Sequence, residues 1–381
     1  MLLALAVVVV AAVAARLVLS RHHPLPVRPD NSVGDAACLS CHQNKAGFEQ
    51  TAHHLSSRPP TRADMLGNLT PPGNVLRTAN PRLHFRMEAT DTGFYQSAVT
   101  GLGRDTTVRS ERVAYVTGSR KGQSYLYWQG DRLYQLPVSY WVDLGWANSP
   151  AYPDGRANFE RQIPPRCLEC HATWFEQVPD SHAVNRYRAP TAIVGVSCEV
   201  CHAGGKSHAA RERSLLHALL PRAIVNPARL PRDRQVDGCA LCHGGTEPLR
   251  SKPFSFVPGQ RLERQFRLTA APDTTRVDVH GNQVALLRRS RCFQQSQMTC
   301  ATCHDVHREQ RNVVELSARC LTCHTLQTLG PRHGPATVGK CVDCHMPLQP
   351  STVIVANQVG GQFHVNVRTH WIKVYPELGL P

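Results

Sequence analysis

The sequence predicts a mainly α and irregular fold interrupted by one β-rich insertion. Three observations carry that expectation. A five-residue motif recurs at short intervals over the second half of the chain. The 381 residues include 28 prolines and only 6% aromatics, a poor basis for an ordinary core. A stretch between residues 60 and 160 alternates with the period of two that marks strands.

The motif is Cys-x-x-Cys-His. It stands at Cys38–His42 (CLSCH), Cys167–His171 (CLECH), Cys198–His202 (CEVCH) and Cys239–His243 (CALCH), and again at Cys300–His304 (CATCH), Cys320–His324 (CLTCH) and Cys341–His345 (CVDCH). The copies use Cys38, Cys41, Cys167, Cys170, Cys198, Cys201, Cys239, Cys242, Cys300, Cys303, Cys320, Cys323, Cys341 and Cys344, leaving only Cys292 outside. This spacing is the attachment signature of c-type haem. Each pair of thiols adds to the two vinyl groups of one porphyrin. The next residue (His42, His171, His202, His243, His304, His324 or His345) becomes the proximal iron ligand. Zinc ribbons need four protein ligands and no histidine after every pair, redox dithiols occur singly, and a disulfide framework does not repeat one spacing seven times. Seven covalently bound haem c groups are expected. Their apolar faces then form much of the interior, so the fold is expected to be haem-packed, with short helices and loops as the wrapping.

Along the chain, residues 1–20 read as a signal peptide or membrane anchor. The run from Leu2 to Ala15 is apolar, shorter than the roughly twenty residues of a full span, and the two readings stay open. Both place the remainder on the periplasmic or extracellular side of a bacterial membrane, where thioether attachment takes place. Residues 21–36 form a Pro/Asp/Asn/Gly linker, and residues 37–59 hold the first haem site. Residues 60–160 read as a β-rich insertion without haem. In it "LHFRMEATDTGFYQSAV" gives two strands joined at Thr-Asp-Thr-Gly, and "SYLYWQGDRLYQLPVSYW" gives two more joined at Gln-Gly-Asp-Arg. Residues 161–381 hold six haem sites and a tail.

A formal charge of +15 would ordinarily suggest nucleic acid or an anionic surface. Two propionates per haem offset much of it, and no basic block with interleaved aromatics is present, so nucleic acid is excluded as a partner.

The activity depends on the far side of each iron: a second histidine leaves only electron transfer, whereas an open position allows a substrate to bind. Of twenty histidines, seven are proximal. His208, His307, His370 and one of the His53/His54 pair are expected as distal ligands, followed by His280 and His333. His84, His182, His217 and His364 rank below these as ligands, and Met65, Met87 and Met298 read as packing. His307, one helical turn beyond His304, cannot fold back over its own porphyrin and is expected to reach a neighbouring haem. His208 and His333 follow the same logic. Cys292 reads as a buried small residue, or else as an axial or redox thiol near Cys300.

With "CEVCHAGGKSH", "CATCHDVH" and the terminal "CVDCHMP", the chain resembles the exported multihaem cytochromes c of the nitrogen-cycle superfamily. That group holds the pentahaem nitrite reductases, hydroxylamine oxidoreductase and tetrahaem carriers. The blocks "PPRCLECHATW" and "QMTCATCHDVH" also resemble bacterial multihaem proteins fused to tetratricopeptide repeats, although no such repeat is visible here. The resemblance implies haem c and redox partners. It carries no catalytic site across, because no CxxCK motif is present and no tyrosine matches the cross-linking one of hydroxylamine oxidoreductase.

The expectation is a heptahaem cytochrome passing electrons through mostly bis-histidine haems, from a membrane or periplasmic donor such as a quinol-oxidising complex to an acceptor. It would work within a complex, an oligomer or a polymer, with the β insertion as docking surface. The alternative is a reductase of small nitrogen or sulfur oxyanions with one open haem, for which the Cys38 site is the expected position.

Overall fold

The computed structural model describes residues 24–119, 121–220, 222–245, 248–267, 282–325, 327, 329, 333–334 and 337–376. The N-terminal apolar run and His280 lie outside them.

Strands dominate the first half. In Leu83–Thr90, Leu83, Phe85 and Met87 are buried while His84, Arg86 and Glu88 are half-buried between them, the alternation of a sheet with one face on a core. It pairs with Gly93–Thr100 in a register that closes Thr90 on Gly93 across two residues. A second hairpin, Gly122–Gln129 with Arg132–Gln135, closes Gln129 on Arg132. Gly130 there has φ +62°, a value that two-residue hairpin turns require and that glycine adopts without strain.

Val75–Arg77, Leu83–Thr90, Gly93–Thr100 and Thr107–Arg112 form a four-stranded antiparallel sheet, and a seven-stranded sheet is built around Gly122–Gln129. Both contribute to one core, with Phe85 and Met87 from the first sheet against Tyr125, Tyr127 and Val138 from the second.

The expected mainly α class is corrected by this structure, which is 28% helix and 25% strand with several antiparallel sheets. Each CxxCH motif needs only a single turn to bring its thiols and imidazole together. Cys198–His202 and Cys341–His345 are five-residue helices. Cys300–Thr302 and Cys320–Thr322 are three-residue 3-10 turns. A high density of motifs therefore does not imply long helices.

The tail adds more strand. Leu348–Gln358 and Gly361–Arg368 form a hairpin that packs on the β region through Ala356, Val365 and Trp141, with Asn148 Nδ2 donating to Asn357 O at 2.9 Å. Among the described residues no helix is long and apolar enough to cross a membrane.

Candidate haem-binding cavity

All seven motif histidines and thirteen of the fourteen motif cysteines line one cavity of about 3750 Å³. A single small-molecule site occupies about 300–1,000 Å³, so this space is sized for several large groups. Fourteen Lys and Arg side chains line it against five Asp and Glu, a balance that suits carboxylate-bearing occupants. The buried Trp141 Nε1 and Ser197 Oγ also line it and have no partner within the protein.

Five motif histidines face a second imidazole across this space. His42 meets His208 with ring centres 6.5 Å apart, His202 meets His307 at 6.2 Å, and His304 meets His370 at 6.2 Å. His345 meets His333 at 6.0 Å and His243 meets His53 at 6.1 Å. An imidazole–metal bond is about 2 Å, so two such bonds plus the half-widths of two rings come to about 6 Å. The spacing fits an iron between the rings. Three motif histidines also have Nδ1 set against backbone carbonyls: His202 on Val225 O at 2.8 Å, His345 on Lys373 O at 2.8 Å and His171 on Ser56 O at 3.4 Å. A carbonyl can only accept, so Nδ1 carries the proton and Nε2 is left for a metal.

Local chemistry explains how the facing residues arrive. The expected helical turn from His304 to His307 is absent, because the chain bends at Asp305, whose Oδ1 accepts the His307 N–H at 3.1 Å, an Asx-type turn. His307 thereby faces His202 of another motif. His208 rides the helix Lys206–Glu212. His370 is fixed by Ser290, whose Oγ donates to His370 O at 3.2 Å and accepts the Ile372 N–H at 2.8 Å. The Arg289 guanidinium lies 3.6 Å over the adjoining Trp371 ring. Burial, with His304 close by, pushes His370 down to about 4, holding it neutral.

The His53/His54 pair divides. His53 lines the cavity, while His54 turns aside, its Nδ1 donating to Asp35 Oδ2 at 3.0 Å. Asp35 Oδ1 accepts the Cys198 N–H at 2.9 Å. Burial opposes ionisation of Asp35, but the hydrogen bonds from His54 and Cys198 outweigh it and hold the carboxyl low. The Asp35 hydrogen bond raises His54. A lowered Asp35 stabilises the fold above its unfolded value, and that contribution is lost as pH falls. A raised His54 stabilises it below its unfolded value, and that contribution is lost as pH climbs through the folded one. The pair therefore contributes most between about pH 4 and pH 6.5. In urea unfolding, His54→Ala is expected to lose more stability at about pH 5.5 than at about pH 8.5, with the haem spectrum unchanged.

Gly195 keeps this segment in place. It has φ +70°, and a Cβ there would sit 2.4 Å from His54 O.

His171 and His324 face no second imidazole among the described residues. His84, His182, His217 and His364 do not line the cavity; His364 instead has Nδ1 on Ser351 O at 2.8 Å. The Cys38 site, the open position under the reductase alternative, has His208 across from it. Cys292 lines the cavity near Cys303 and Cys323.

The thiols show which motifs are neighbours. Cys38 lies beside Cys198, Cys170 beside Cys242, Cys239 beside Cys300 and Cys320 beside Cys341. The first motif thus borders the third, and the second borders the fourth, so order in space departs from order in sequence.

Two buried carboxylates at the variable positions of motifs were not foreseen. Glu199 accepts the Val33 N–H at 3.1 Å, the Gly34 N–H at 3.3 Å and the Gly205 N–H at 2.7 Å, and also bonds Ser32. Glu169 accepts the Phe254 N–H at 2.8 Å and Gln265 Nε2 at 3.2 Å.

Residues 150–203, which carry the second and third motifs, match the family model described as cytochrome c554 and c-prime. The comparison supports a multihaem cytochrome c. The same match supports covalently bound haem c as the cofactor. Among solved structures, the chain is similar to the undecaheme cytochrome from the S-layer of Carboxydothermus ferrireducens. The TM-score is 0.43 and the identity 17%, over 92% of this chain and 53% of that one, so the chain spans about half of that protein's length. No curated protein matches it.

Proposed function

We propose that the chain is a heptahaem electron-transfer protein in which five irons are held by two histidines each: His42 and His208, His202 and His307, His243 and His53, His304 and His370, His345 and His333. The observation that carries this reading is the set of five ring pairs spaced for one metal each. Haem c supplies reversible one-electron chemistry when bound. The chain's own part is to fix both ligands, keep them neutral and keep the groups adjacent. Cross-motif ligation does the last of these, because His208, His307 and His53 each belong to a different segment from the motif they face. An exported location and protein redox partners, a quinol-oxidising donor among them, complete the proposal.

A second reading, a reductase of small nitrogen or sulfur oxyanions, is favoured by one observation: His171 and His324 face no imidazole among the described residues. Steady-state assays with a reduced dye as donor separate the two readings. Electron transfer alone gives fast oxidation by a partner cytochrome or an electrode and no turnover of nitrite, hydroxylamine or sulfur oxyanions. Sustained consumption of one of these would establish the reductase.

A further inference from the structure

The Cys239–His243 motif differs from the others in two independent ways. The first is its neighbours. It closes the twelve-residue helix Arg232–His243, and its two thiols look in different directions. Cys239 lies beside Cys300 of the fifth motif, and Cys242 beside Cys170 of the second. Cys242 also lies 3.7 Å from Glu169 O. Arg166 clamps this contact, donating from one nitrogen to Cys170 Sγ at 3.3 Å and from another to Leu241 O at 2.7 Å. Cys201 of the third motif is near enough to both thiols to act on them electrostatically. The facing histidine, His53, comes from the segment after the first motif. Parts of four other motif regions therefore converge here.

The second difference is the angle between the rings. The planes of His42 and His208 lie 16° apart, those of His333 and His345 17°, those of His304 and His370 30° and those of His202 and His307 31°. His53 and His243 are crossed at 79°. Parallel imidazoles donate into the same iron dπ orbital and split the pair. Crossed imidazoles donate into both and leave them nearly degenerate. The near-degenerate case gives a highly anisotropic low-spin ferric signal and a higher reduction potential, because less stabilisation of the ferric state remains.

We propose that the Cys239–His243 site is the junction of a branched haem array, and that His53 marks it by crossing His243, making this site the most easily reduced of the five paired ones. A branch point reduced before its neighbours sets the direction of electron traffic among the arms that meet there. This rests on the ligand pairs proposed above.

The test is low-temperature EPR of the oxidised holoprotein during a stepwise reductive titration, repeated on His53→Ala. The expected spectrum shows one large-gmax, highly anisotropic low-spin signal beside several rhombic ones, and that signal fades before the rhombic ones as the potential falls. In His53→Ala it is replaced by one added equivalent of high-spin iron. An absent large-gmax signal, or one that fades last, overturns the junction while leaving the ligand pairs standing. The wild-type spectrum and titration settle this even if the variant assembles poorly. A His53→Ala protein with no added high-spin iron overturns the His53–His243 pair itself, and the junction with it.

Discussion

Without haem, residues 163–376 are expected to lose their structure while residues 57–162 keep theirs. The two regions differ in what fills them. The β region has its own core of fifteen buried residues shared by two sheets. The haem-bearing region surrounds a cavity of about 3750 Å³. Empty space costs about 24 cal/mol per Å³, so leaving it unfilled would cost tens of kcal/mol. Whole-protein stability is only about 5–15 kcal/mol. Flooding it with water would wet its apolar walls instead. Limited proteolysis of protein made without haem attachment should cut rapidly beyond residue 162 and leave a resistant β fragment. Equal resistance across the whole chain would mean that the polypeptide supports the cavity unaided.

Loss of the Glu199 carboxylate is the second large effect expected. This side chain is 1% exposed and accepts three backbone N–H groups, two from the linker at Val33 and Gly34 and one from Gly205. Removing it leaves the buried Gly205 N–H and the half-buried Val33 and Gly34 N–H groups without this partner, at up to about 1–3 kcal/mol each. Partial relaxation of the linker recovers some of this, so Glu199→Ala is expected to destabilise by about 3 kcal/mol overall. Glu199→Gln keeps one carbonyl acceptor and should retain part of the loss. Guanidinium unfolding followed by Soret absorbance measures both. The Ala variant should also be cut within residues 27–34 at a protease concentration that spares the parent.

The sequence made the cofactor legible because thioether chemistry fixes residue type and spacing together within five residues. The two hairpin turns were legible because Thr90–Gly93 and Gln129–Arg132 carry their turn chemistry locally. Helix content was not. A run of motifs looks like a run of helices, but each needs only one turn, and the chain invests in strand elsewhere. That His53 rather than His54 lines the cavity was equally hidden, since Asp35 binds His54 from nineteen positions away. Glu169 and Glu199 sit where charged residues ordinarily face water. Their partners, at residues 254 and 265 and at 32–34, are reached only by the tertiary fold. Histidines 208, 307, 333 and 370 stood out by number and position, yet which motif each would face depended on contacts such as the Asp305 turn.

Imidazole pairs capping five irons can be counted. Near-infrared magnetic circular dichroism of the ferric protein, calibrated against total haem from the pyridine haemochrome, counts bis-histidine haems directly. Seven haems per chain are expected, at least five of them of the bis-histidine type, with His208→Ala and His307→Ala each removing one. Fewer than five, or a count that neither substitution changes, would contradict this pairing.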